Sequence, residues 1–140
     1  NIEFRDLVPK DRLLESLREA DIQLVPQDAR VGNYAIPSKL VSIMSAARPF
    51  VSTAEPGGAL DELARASGAG FCVPTGDVDA LYRAVVTLVE NAELRQRLGM
   101  NGQRHVREVL AAPLVLKRYE EMMRAPTALP IVGDEVQTPA

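Results

Sequence analysis

A proline-bounded run, Pro37-Ser-Lys-Leu-Val-Ser-Ile-Met-Ser-Ala-Ala-Arg-Pro49, leads directly into the β-branched segment Phe50-Val-Ser-Thr53. Proline disfavours α geometry in the residue before it, so a helix over 38–46 must stop ahead of Arg48-Pro49 and release the chain into a strand over 50–53. The serines and alanines of the run give that helix a face able to pack closely on the strand. An apolar strand over 22–25, closed by Pro26, precedes it and completes a strand, helix, strand unit. Such units build parallel sheets through right-handed crossovers, and in those sheets ligands sit beyond the carboxyl ends of the strands, where loops enter helix N-termini. Pro37 and Ser38 occupy that position.

The alternation continues on both sides. Residues 1–4 read as a strand, Val8-Pro-Lys10 as a turn, and Leu13, Leu14, Leu17 and Ala20 recur at helical spacing. Residues 27–36 are polar and contain glycine, forming a loop longer than the usual connection, where function tends to concentrate. Further on, Pro56-Gly-Gly58 turns into a helix over 60–67, and Gly68 and Gly70 bracket a break into a strand over 71–73. Asp77 is placed to cap a helix over 78–90 by accepting its orphan backbone N–H groups. Helices over 93–109 and 113–124 stand outside this pattern and are expected to brace against something beyond the sheet. Residues 125–140 carry Pro126, Pro130, Gly133 and Pro139 without a sustained period and are expected to form a disordered tail. The fold class is α/β, a parallel sheet with helices on both faces, over residues 1–124.

A chain of 140 residues with 46% hydrophobic content can bury one real core. Its net charge of −3 and pI near 5.2 supply no basic stripe, which excludes nucleic acid as a partner and requires any anion to be held by local groups. The single cysteine, Cys72, lies between Phe71 and Val73 and reads as a core residue in a reducing compartment, because the one histidine, His105, falls in a helical stretch. His105 sits among Arg104 and Arg107 on a polar face, and with no second histidine there is no metal constellation. No apolar run is long enough to span a membrane and no signal-like start is present, so the cytoplasm is the default. A chain that begins at Asn1, already inside a strand, reads as a fragment.

Taken in order, Phe4-Arg-Asp-Leu-Val8, Ala20-Asp-Ile-Gln-Leu-Val-Pro26, Pro37-Ser-Lys-Leu40, Met44-Ser-Ala-Ala-Arg-Pro49, Gly68-Ala-Gly70, Val73-Pro-Thr-Gly-Asp77 and Leu94-Arg-Gln-Arg-Leu-Gly99 resemble successive landmarks of one family. The chain is similar to the C-terminal, donor-binding domain of a retaining GT-B glycosyltransferase of the family 4 type, in the branch that builds bacterial capsule, O-antigen and colanic-acid-like polymers. The resemblance implies a Rossmann-like sheet forming the C-terminal half of a GT-B fold. It implies transfer of a sugar from a UDP- or GDP-linked donor to a glycan or lipid-linked acceptor with retention, and no further cofactor. It also implies that an acceptor-binding N-terminal domain, and the first βα unit of the donor domain with its phosphate clamp, precede Asn1. The fragment alone is then expected not to catalyse, and the whole enzyme to work in the cytoplasm, at the inner face of the membrane.

On this resemblance Val8, Pro9 and Lys10 map to the loop that reaches the nucleobase, with Asp6 standing where the family more often has glycine. The family's pair of donor-contacting glutamates falls near Tyr34 and Ser42, neither acidic, so that Ser42 retains only a hydroxyl for bonding to a donor hydroxyl. Ser38 and Lys39 take their place as the phosphate-facing candidates, by a helix N-terminus and a cationic first turn. Gly32 and Asn33 would let the backbone approach the donor sugar. No catalytic residue is assigned. Gly57 and Gly58 lack a following Lys-Ser or Lys-Thr and read as a turn rather than a P-loop, and Asp21 reads as fixing local backbone groups.

Two other readings use the same residues. A GT-B nucleotide-sugar 2-epimerase shares the architecture but needs acid and base residues that this segment does not clearly supply. A non-catalytic α/β interaction module would dock through the last helix, whose Leu114, Leu116, Tyr119, Met122 and Met123 recur as an apolar face; homodimerisation is its testable consequence.

Overall fold

The computed structural model describes residues 2–28 and 35–124. Among the described residues three short strands, β1 (Gln23–Val25), β2 (Phe50–Thr53) and β3 (Gly70–Val73), pair side by side in that order and run parallel. Gln23 stands opposite Phe50, and Phe50 opposite Gly70. The helices among the described residues are α1 (Leu13–Glu19), α2 (Lys39–Ser45), α3 (Ala59–Ser67), α4 (Val78–Glu90), α5 (Ala92–His105) and α6 (Ala112–Arg124), with a short 3-10 turn ahead of α1 and a π turn between α5 and α6.

Strand periodicity sorts the core into two layers. On one face Val25 and Phe50 pack with Leu40, Ile43 and Met44 of α2 and with Leu60 and Ala64 of α3. On the other face Val51 packs with Leu88 of α4 and Leu98 of α5, joined by Phe71, Leu81 and Val85. All four residues of β2 are buried, as a central parallel strand covered on both sides requires. The expected α/β architecture, with helices on both faces, is what the chain adopts.

The strand, helix, strand unit of β1, α2 and β2 contains a backbone device at the end of α2. Ala47 adopts a left-handed conformation, φ 54°. Its N–H bonds the Met44 carbonyl at 3.0 Å while the Arg48 N–H bonds the Ile43 carbonyl at 3.3 Å, the paired bonds that close a helix before a turn. Proline 49 then starts the extended chain. Asp77 caps α4 as expected, its Oδ1 accepting from the Ala80 N–H at 2.8 Å, and Asn91 does the same for α5 through the Leu94 N–H at 2.8 Å.

Helix α5 braces the sheet itself, where the sequence suggested a target beyond it. Its side chains reach carbonyls left unpaired at three other helix ends. Gln103 donates to the Ser45 carbonyl of α2 at 3.3 Å, Asn101 to the Gly68 carbonyl behind α3 at 3.1 Å, and Arg95 to the Leu88 and Val89 carbonyls of α4 at 2.7 and 2.9 Å. Arg48 serves α1 likewise, donating to the Arg18 carbonyl. The four helices that flank the strands are thus tied together at the amino-terminal edge of the sheet. The last helix, α6, buries no residue and leaves Leu116, Tyr119, Met122 and Met123 exposed.

One expected element is absent. Residues 2–9 have no regular structure, and Phe4 is 95% exposed. Local β propensity does not make a strand without a ladder partner. Among the described residues β1 pairs only with β2. The expected tail, 125–140, lies outside the described residues.

Candidate functional site

All three strands point their carboxyl ends the same way, so the segments following Val25, Thr53 and Val73 lie along one edge of the sheet, together with the N-termini of α2, α3 and α4. Thr53, the last residue of β2, is buried and organises this edge. Its Oγ1 accepts from the Gln27 N–H at 2.8 Å and donates to the Gln27 carbonyl at 3.1 Å. Gln27 in turn donates from its amide to the Ala35 carbonyl at 3.0 Å, tying together the two described ends of the long loop.

Beside it, Asp61 in the first turn of α3 is buried, and its Oδ2 accepts from the Gly57 N–H at 2.8 Å and from Arg65 Nη2 at 2.6 Å. Gly57 sits at φ +78° with open space where a side chain would start, so its glycine is required by the backbone turn and by nothing packed against it. The carboxylate reaching back from the first turn is a variant of helix capping, supplied here without a serine at the cap. Asp61, Arg65 and Cys72 share a small cleft of about 200 Å³ with Ala54 and Pro56.

Cys72 is half-buried at the carboxyl edge of β3. Burial pushes its thiol above the ordinary value of 9.0, against the opposing pull of a hydrogen bond with Ser52. A thiol whose neutral form is favoured is a poor nucleophile. We expect alkylation of Cys72 by iodoacetamide at pH 8 to run roughly tenfold or more slower in the folded protein than in denaturant; equal rates would contradict this environment.

The candidates from sequence fall in separate places. Val8 and Pro9 line a shallow cleft of about 220 Å³ with Arg5, Leu7, Arg12, Ser16 and Glu19. Lys10 opens the 3-10 turn, which Arg12 closes by donating its N–H to the Pro9 carbonyl at 3.0 Å. Ser38 and Lys39, which are not among the residues of that cleft, stand exposed at the start of α2. Ser38 is already helical at φ −57°, ψ −28°, and its side chain does not cap the helix; the Leu40 and Val41 N–H groups bond the Pro37 and Ser38 carbonyls instead. Its hydroxyl and the Lys39 ammonium are therefore uncommitted to the fold. Ser42 lies one turn further along α2, half-buried. Gly32, Asn33 and Tyr34 lie outside the described residues.

Asp21 does not fix backbone groups as its position suggested. Its side chain is 78% exposed and faces Arg95 Nε at 3.9 Å. His105 ends α5, half-buried. Among the described residues no three His, Cys, Asp or Glu side chains gather as a metal site, and no helix is long and apolar enough to cross a membrane. Sequence reasoning missed Thr53 and Asp61. A threonine at the last position of a buried strand, and an acid in the first turn after a Gly-Gly pair, were the available signals.

Comparison with known families matches residues 1–91, well over half of the chain, to a model described as Glycosyl transferases group 1. Comparison with curated proteins finds no match.

Proposed function

The chain belongs to the glycosyl transferases group 1 family, and on that premise we propose that it is the donor-binding part of a retaining GT-B enzyme that moves a hexosyl or N-acetylhexosaminyl group from a UDP- or GDP-sugar to a glycan or lipid-linked acceptor. The reading is of the family 4 type serving bacterial polysaccharide assembly, in the cytoplasm at the inner membrane face. Sugar transfer follows from the family; donor, stereochemistry and acceptor are our proposal.

The observation that carries it is the parallel sheet placing the segments that follow its three strands, and three helix starts, along one edge, with Thr53 and Gln27 bracing the long loop and Asp61 bracing the Gly57 turn. Such an edge can hold a nucleotide diphosphate by backbone groups and a few charges, without a protein nucleophile. Its part in transfer would be to position the diphosphate and offset charge as the leaving group departs. Lys39 would supply a point charge to the phosphates, and Ser38 and Ser42 hydroxyls on the same side of α2. Because α2 is only seven residues long, the ammonium counts for more in this role than the helix dipole. Val8, Pro9 and Lys10 would face the base, and Gly32 and Asn33 the sugar.

Calorimetric titration of the full-length protein with UDP, GDP and their sugars tests this. One nucleotide should bind preferentially, and Lys39→Ala should weaken it roughly five- to tenfold, the worth of one partly exposed charge-assisted contact. Absence of binding by either nucleotide, or an unchanged affinity in Lys39→Ala, would count against the assignment.

A further inference from the structure

At the opposite, amino-terminal edge of the sheet lies a cleft of about 500 Å³ between the ends of α1 and α2 and the start of α5. Three arginines line it, Arg18, Arg48 and Arg95, against one acidic residue, Asp21. We propose that this cleft is a second ligand site, for a small soluble phosphoryl anion of the diphosphate class, distinct from the donor edge and independent of the donor assignment.

Two of the arginines are held in place before any ligand arrives. Arg48 is fixed by its Nη2 bond to the Arg18 carbonyl. Arg95 is fixed by Nη1 to the Leu88 and Val89 carbonyls, with its side chain only 22% exposed. Each uses one terminal nitrogen for the fold and retains further donors; Arg48 Nε is buried with no hydrogen-bond partner. Guanidinium groups already immobilised lose little further entropy on binding, and their planar forks match phosphate oxygens.

The third arginine is committed to nothing. Arg18 has an exposed side chain for which the structure gives no bonded partner among the described residues, while its backbone carbonyl performs the structural task. Asp21 offsets only part of the charge. It is largely solvated, and 3.9 Å from Arg95 Nε it is a weak competitor. The cleft therefore carries excess positive charge in a chain whose net charge is −3. Its volume is ample for two linked phosphoryl groups, with Gln96 and Met100 along its wall.

Isothermal titration of the full-length protein with inorganic pyrophosphate, at ionic strength held constant with potassium chloride, tests the proposal. Saturable binding is expected, weakened roughly tenfold or more by Arg18→Ala and by Arg18→Glu. Neither change should alter the thermal midpoint, since the side chain is exposed. Lys39→Ala, at the other edge, should retain the Arg18-dependent event. Pyrophosphate affinity that is unchanged in Arg18→Ala, binding lost in Lys39→Ala alone, or attraction only to vesicles of phosphatidylcholine with phosphatidylglycerol and not to pyrophosphate, would each overturn it.

Discussion

Replacing Gly99 by alanine should destabilise the protein by about 4 kcal/mol or more, a large share of the stability of an ordinary domain. A Cβ at this position would stand 2.1 Å from the Ala47 carbonyl oxygen and 2.7 Å from its carbon. Both neighbours are backbone, so no side chain can swing aside. The Ala47 peptide is held in its left-handed turn by the two bonds that close α2, and α5 is held from its own side by Gln103 on Ser45 and Asn101 on Gly68. Relief therefore requires α5 to lift away from the sheet, which exposes Leu98 and part of the second core layer. The sign makes the test sharp, because in a helix interior glycine to alanine ordinarily gains roughly 1 kcal/mol in propensity. Gly76→Ala provides the contrast. Its φ of +88° strains any side chain, yet nothing lies within 4 Å, so a loss of about 1 kcal/mol is expected. Urea unfolding of both variants beside the parent protein reads the difference, and a Gly99→Ala midpoint equal to the parent's would show that α5 is not seated this closely.

That contact also marks where the sequence was legible and where it was not. Pro49 ahead of Phe50-Val-Ser-Thr53 located β2 and the end of α2, because the proline rule acts between neighbouring residues. Asp77 announced α4 in the same local way. Residues 2–4 carry a similar β signal and form no strand, since pairing depends on a neighbour that local propensity cannot supply. Helix α5 was visible as a helix, but its role as a clasp depends on Arg95, Asn101 and Gln103 meeting carbonyls far along the chain, which no periodicity encodes. The site divides in the same way. Lys39 at a helix start could be named from its place between Pro37 and the apolar run. Asp61 could not, because its carboxylate gains meaning only when the turn brings the Gly57 N–H back to it. The arginine cleft was equally hidden: Arg18, Arg48 and Arg95 are scattered in sequence and converge only where helix ends gather.

Phe50→Ala should cost about 3–5 kcal/mol, the range for removing a fully buried aromatic side chain. Phe50 is 0% exposed and lies at the centre of the first core layer, between α2 and α3. Its ring is seated directly over Gly70: a Cβ there would fall 2.9 Å from the Phe50 Cγ and 2.1 Å from the Phe50 carbonyl oxygen. The glycine on β3 and the aromatic on β2 are thus one fitted pair across the ladder, and position 70 has no room for a side chain. Because Leu40, Ile43 and Met44 of α2 and Leu60 and Ala64 of α3 share this core layer with Phe50, the cavity cannot close without displacing the helix starts at the carboxyl edge of the sheet. Phe50→Leu keeps most of the apolar volume and should cost only about 1–2 kcal/mol. The two variants separate stability from function. If the carboxyl edge of β2 is held mainly by the local bonds between Thr53 and Gln27, Phe50→Leu should unfold earlier in urea yet bind nucleotide with the parent affinity while folded. A loss of nucleotide affinity in step with the loss of stability would show instead that the core layer, rather than the Thr53 bonds, sets the geometry of that edge.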